Sequence, residues 1–491
     1  MSAENTPPPR PFTGPELCAL PAHEAVALLR SGEIEPQDLI EAALSRIKAV
    51  EPAVNAMPTL CPERALYAAK ALAGERDHPG WLAGLPVGIK DLAMVEGVRT
   101  TFGTKGLADF VPEESDPIVT RIESRGGIVL GKTNTPEMGA GGNTFNAVFG
   151  RTRNPWDTRL NAGGSSGGAA VSLATGEVWL SHGSDLAGSL RTPAGYCGVV
   201  GLRPSPGVAA AGSSALRFGT EGVQGPMARS VRDCALFLDA MAGFDPFDPL
   251  SWPAPETPYQ RAALRGEPKG LRIAYSPTLN GHAHVSAEMD GHLRAALERM
   301  ADAGAGVEEA CPDLPDLDRC YRTLRAMVWA AGPGRAPEAV QRHFKATLAD
   351  NIEQGRRLTG DDICDAQVAR STIFGNMALF LRDFDVLACP VVGLMPGPAE
   401  EEYPREIDGK PLNDYLDWLK FSFLSTTALL PAIVVPVGRS ADGIPVGIQL
   451  IGAHRGEAGL LAAAQAFETV AGGPMMPVDP NLTHDAGAGD V

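Results

Sequence analysis

Apolar residues recur at helical spacing near the start of the chain. Leu39, Ile40, Ala43, Leu44 and Ile47 form one stripe of a helix expected over 36–50. A shorter amphipathic helix is expected before it, over 22–30, and a third after it, over 63–75. The pattern then changes. Residues 85–89 read as a short buried strand. Residues 117–124 read as a helix with Ile118 and Ile122 on one face, ended by Gly126-Gly127, and Ile128-Val129-Leu130 starts the next strand. Such alternation predicts an α/β fold: one large domain around a central mixed, largely parallel twisted sheet covered by helices on both faces. Further strands are expected at 271–275 and 386–389, with 282–392 otherwise mainly helical. Residues 431–452 read as strands around an Asp442-Gly443 turn. No repeat and no linker divides the pattern, so the domain is expected to run from 16 to 475. Five prolines in residues 1–15 predict a disordered or extended arm, and 476–491 reads as a loose tail.

Composition narrows the class of protein. The 56 glycines and 42 prolines make up about a fifth of the 491 residues, where roughly 12% is ordinary. With 44% hydrophobic residues, the chain still has ample material for a core, so the excess points to special backbone conformations rather than disorder. A net charge of −17 disfavours nucleic acid or an anionic membrane as partner, since both need basic surface. The most hydrophobic stretch, 428–437, is broken by Pro431 and Pro436, so no membrane span is expected. No apolar signal segment opens the chain, and the eight cysteines have neither CxxC nor disulfide-framework spacing. Both features predict a cytoplasmic protein with reduced thiols.

Some motif matches fail on context. Residues 126–133, GGIVLGKT, satisfy the P-loop pattern, but the middle residues form an apolar strand and Asn134-Thr135-Pro136 follows where a helix should start. Residues 163–168, GGSSGG, satisfy a nucleophile-elbow pattern without the hydrophobic strand that must lead into it. His282-Ala283-His284 alone is too weak to predict a metal, and no metal or cofactor is expected.

Glycine is densest between 160 and 201. That stretch reads as a Gly-Ser loop, a small-residue helix over 169–174 and a strand over 178–181. A tight loop over 183–188 follows, then a helix start at Ser189-Leu190-Arg191. Two serine loops joined by one helix and one strand can face each other at a sheet edge, where ligands of such folds bind. These residues, Gly163-Gly164-Ser165-Ser166-Gly167-Gly168 and Gly183-Ser184-Asp185-Leu186-Ala187-Gly188-Ser189-Leu190-Arg191, resemble the signature of the amidase signature family. Gly88-Ile89-Lys90-Asp91 resembles its lysine motif, and the matches extend over about 20–470.

The resemblance implies an amide hydrolase with a Ser–cisSer–Lys triad, matched here by Ser189, Ser165 and Lys90. Ser189 would be the nucleophile that forms an acyl-enzyme, Lys90 a neutral base, and Ser165 a proton relay, although spacing alone leaves Ser165 and Ser166 interchangeable. A lysine acts as a base only if burial lowers its pKa. Backbone N–H groups of Leu186, Ala187, Gly188 and Ser189 would form an oxyanion hole. Ser166, Asp185 and Arg191 would support the loops, Met138 would line the substrate pocket, and 250–430 would shape it. The implied substrate is a small-molecule amide, with carbamates, aryl amides or esters open to the same triad, and relatives often form homodimers.

The usual family pattern before the nucleophile is Thr-Asp-Thr-Gly-Gly-Ser. Ser184-Asp185-Leu186-Ala187-Gly188-Ser189 departs from it. Such variants resemble bacterial amidases and nylon-oligomer cyclic-dimer hydrolases more than the glutamine-dependent glutamyl-tRNA amidotransferase, whose glutamine-site residues are not found over 204–225. An alanine at 187 requires a negative φ there.

Overall fold

The computed structural model describes residues 10–74, 76–209, 216–472 and 476–482. Part of the 204–225 segment, 210–215, lies outside the described residues, as does the expected helix end at 75. The alternating pattern folds into one eleven-stranded sheet. Its strands are β1 (Thr59–Leu60), β2 (Pro86–Lys90), β3 (Ile128–Thr133), β4 (Leu180–Asp185), β5 (Val200–Arg203), β6 (Val223–Ala228), β7 (Arg272–Tyr275), β8 (Gly306–Glu309), β9 (Val386–Pro390), β10 (Ala432–Arg439) and β11 (Pro445–Ile451). Their spatial order is β8-β7-β9-β11-β10-β5-β6-β4-β2-β3-β1. Flanking helices include α1 (Ala22–Ser31), α2 (Pro36–Val54), α3 (Pro62–Lys70), α4 (Pro117–Ser124), α5 (Gly167–Ala174), α6 (Arg191–Cys197), α7 (Val231–Met241), α8 (Ala287–Asp302), α9 (Leu317–Ala331), α10 (Gly360–Phe380), α11 (Phe423–Thr427) and α12 (Glu457–Phe467).

The sheet is mixed. β2 pairs in parallel with β3 and β4, and β7 with β8 and β9. The other neighbours are antiparallel, so the sheet is less parallel than the alternation predicted. The two parallel blocks are where helices return the chain, and hairpin-like connections such as Asp442-Gly443 between β10 and β11 fill the centre. Successive side chains of a strand point to opposite faces. Ile273, Tyr275, Val386 and Ala388 accordingly join a core with α8 and α12. Ala274, Leu387 and Cys389 join a second core with Tyr321, Ile373 and Phe423 from α9, α10 and α11.

The expected loop from Gly183 is instead the second half of β4, where Gly183 pairs with Gly225 of β6. A Cβ at Gly183 would stand 2.6 Å from Leu190 Cδ2 and 2.8 Å from Ser166 Oγ. Glycine is required there by close approach, not by a turn. β8 was hidden in the stretch expected to be helical, because Gly306-Val307-Glu308-Glu309 is an exposed edge with little apolar pattern. Arg10–Pro11 pairs antiparallel with Val478–Asp479. Arg46 meets Asp479 at 2.7 Å and lies over the Phe12 ring, so the described parts of the expected arm and tail are held against the domain. No helix among the described residues is long and apolar enough to cross a membrane.

Candidate active site

Parallel pairing brings the carboxyl ends of β2 and β4 side by side, and Lys90 and Asp185 are their last residues. The Lys90 side chain is wholly buried. Its Nζ lies 2.7 Å from Ser165 Oγ, 2.9 Å from Ser166 Oγ, 3.1 Å from Ser184 Oγ and 3.4 Å from the Ser184 carbonyl oxygen. None of these partners is an anion. Burial therefore lowers the lysine pKa to about 7, with the charge of Asp185 opposing the shift.

The two adjacent serines differ in their surroundings. The Gly164–Ser165 peptide is cis, and Ser165 lines an open cavity. Ser166 is fully buried at the start of α5. Its N–H donates to the Ser189 carbonyl at 3.1 Å and its Oγ to the Ser184 carbonyl at 3.3 Å, which ties the two serine loops together.

Asp185 organises the second loop. Its carboxylate accepts from the Gly188 N–H at 3.0 Å, the Leu190 N–H at 3.1 Å, and Arg191 Nε and Nη2 at 3.0 and 2.8 Å. Arg191 also donates to Ser425 Oγ at 2.7 Å and Gln449 Oε1 at 2.6 Å. Burial alone would raise the Asp185 pKa. The charges of Arg191 and Arg203 outweigh it and hold the carboxyl well below the ordinary range. Removing this carboxylate would leave two buried guanidinium groups uncompensated. Asp185→Ala is thus expected to destabilise the fold by about 3–5 kcal/mol, measured by urea unfolding. A loss below about 1 kcal/mol would mean that the arginines do not depend on it.

Gly188 has φ +87° and Ala187 has no positive φ, so the alanine stands where a methyl is tolerated and the glycine where it is not. Of the expected oxyanion donors, the Gly188 N–H is already directed to Asp185 Oδ1. The N–H groups of Leu186, Ala187 and Ser189 have no protein partner among the described residues.

Ser165 and Ser189 open onto one cavity of about 390 Å³, walled by Met138, Leu186, Val328 and Trp329. Met138 is brought to it in the left-handed region, φ +52°. Among the described residues, no arginine and no lysine lines this space. Its carboxylates are engaged: Glu221 pairs with Arg370 at 3.1 Å and Asp116 accepts from the Met94 N–H at 2.8 Å. The wall from α9 comes from the 250–430 region expected to shape the pocket.

Sequence reasoning missed several groups. With 180–185 a strand, alternation puts His182 and Ser184 on one face, so the period carried a signal for Ser184. His182 is buried against Gln224 Oε1 at 2.8 Å, and burial drives its pKa down to about 3, so it stays neutral. Arg203, Tyr321 and Thr426 reach this loop without any local motif.

Comparison with known proteins agrees with this arrangement. The protein-family description Amidase matches residues 38–461. An acylamidase of Rhodococcus erythropolis is 38% identical, over 92% of this chain and 95% of that one. The glutamyl-tRNA(Gln) amidotransferase of Moorella thermoacetica has an amidase-like chain that is 36% identical, over 92% and 97%. The structure of a 6-aminohexanoate cyclic dimer hydrolase complexed with substrate superposes with a TM-score of 0.83 at 28% identity, over 93% of this chain and 98% of that one. Likeness that spans the whole sheet, and not the serine loops alone, is the mark of common descent: the chain belongs to the amidase signature family and is an amide-hydrolysing enzyme.

Proposed function

We propose that this enzyme cleaves the C–N bond of uncharged carboxylic amides through an acyl-serine intermediate. Ser189 Oγ attacks the carbonyl carbon. Its proton passes through Ser165 Oγ to the lone pair of neutral Lys90. The tetrahedral oxyanion accepts hydrogen bonds from the Leu186, Ala187 and Ser189 N–H groups. Collapse breaks the C–N bond, and the departing amine takes its proton back through Ser165. Water then repeats the sequence on acyl-Ser189 and releases the carboxylic acid. Ser166 holds the loops together, and Asp185 with Arg191 fixes the turn before Ser189.

The observation that carries the reading is the contact of a fully buried Lys90 with Ser165 at 2.7 Å, with Ser165 opening into the same cavity as Ser189. The apolar wall of Met138, Leu186 and Trp329 supports a neutral acyl or aryl group. Free glutamine carries a carboxylate that would find no lysine or arginine among the described lining residues, which favours hydrolysis over transamidation. Carbamates, aryl amides and esters remain within reach of the same groups.

A fluorophosphonate is expected to add to Ser189, identified by peptide mass, and to abolish release of amine from a simple aliphatic or aryl amide by the purified chain. Adduct formation on another residue alone would refute the nucleophile. Turnover only with glutamine, an ammonia acceptor and a second protein would replace hydrolysis by transamidation.

A further inference from the structure

In a trans peptide the N–H points away from the carbonyl oxygen of the same plane. Whatever holds the Leu186 carbonyl therefore also aims the Ala187 N–H. That carbonyl accepts hydrogen bonds from the Tyr321 hydroxyl of α9 and the Thr426 hydroxyl of α11, each at 3.1 Å. The preceding Asp185 carbonyl is held in the same manner by Arg203 Nη1 at 2.7 Å. The Ala187 N–H, turned away from α9 and α11, has no protein partner among the described residues.

The two hydroxyls belong to one packed unit. Tyr321 is 1% exposed, and its ring stacks on Phe423 with centroids 3.7 Å apart and planes 15° apart. Phe423 begins α11, which also carries Thr426. Burial pushes the Tyr321 hydroxyl pKa up, so it remains a donor throughout the range in which the enzyme would be assayed. Bonds into a carbonyl also polarise its peptide and strengthen the N–H as a donor.

We infer that Tyr321 and Thr426 are positioning residues that set the Ala187 N–H for the oxyanion by clamping the Leu186 carbonyl from behind. The inference rests on Ser189 being the nucleophile. The clamp acts on a group that binds charge only in the transition state, so its loss lowers kcat and leaves ground-state binding alone.

Tyr321→Phe keeps the stacked ring, and Thr426→Val keeps the shape. Each variant is expected to lower kcat about tenfold with KM within about twofold. The inhibition constant of an alkyl trifluoromethyl ketone, which adds to Ser189 as a tetrahedral oxyanion, should rise by the same factor as kcat falls. A merely structural role would lower the thermal midpoint without separating the ketone from the substrate. Unchanged kcat and ketone affinity in both variants would overturn the inference, as would equal losses in kcat and substrate affinity. If the ketone failed to inhibit the wild-type enzyme and Ser189→Ala stayed active, the nucleophile itself would be wrong. That result is distinct from an idle clamp on a working serine.

Discussion

Ser189→Ala is expected to lower kcat/KM for amide hydrolysis by roughly 10⁴-fold or more while the protein stays folded. The nucleophile has no substitute within the site: Ser165 and Ser166 both lie against Lys90, and Ser166 is fully buried. The Ser189 hydroxyl is partnered by no protein group among the described residues, and the residue is 8% exposed at the cavity wall. Truncation therefore orphans no buried donor or acceptor, and stability should change by less than about 1 kcal/mol. What remains is water attack assisted by the backbone donors. Purified variant and wild type, compared by amine release and by thermal unfolding, test both halves. A variant that keeps a tenth of wild-type activity would mean that another group attacks.

The second large effect concerns proton acceptance. Lys90 must be neutral to take the Ser189 proton, and burial brings its pKa from 10.5 to about 7. Below that pH the lysine is charged and each unit of acidification should lower kcat/KM about tenfold. Above it the base is free and the profile should level off. An exposed lysine would place the same rise near pH 10. Lys90→Arg keeps a cation of similar reach, but its guanidinium cannot be deprotonated, so a loss of at least about 10³-fold is expected at every pH. Initial rates between pH 5 and 9 would refute the assignment if they were flat, and so would an arginine variant with near-normal rates.

Local pattern made the ends of this site legible. Apolar residues before Lys90 predicted the strand that buries it, and the spacing of glycine and serine marked both loops. Asp185 and Arg191 are six residues apart, close enough for motif reading to pair them. The reading lapsed where local signals conflict with tertiary demands. Gly183 looks like a turn residue, yet sits in a strand because Leu190 and Ser166 press on it. The Gly188 N–H was expected to face substrate, yet the carboxylate of Asp185 takes it. Tyr321 and Thr426 left no trace in the pattern, since they meet Leu186 across 135 and 240 residues and any buried hydroxyl would look the same.

Those long separations also decide when the enzyme becomes an enzyme. Secondary structure and the β2–β3 pair can form from neighbouring segments, but the Leu186 carbonyl is secured only after α9 and α11 have come back from far along the chain. Contacts of such sequence separation close late, since loop entropy must be overcome before they contribute. During refolding, recovered turnover therefore reports completion of the whole domain, whereas recovered helix signal reports only its parts.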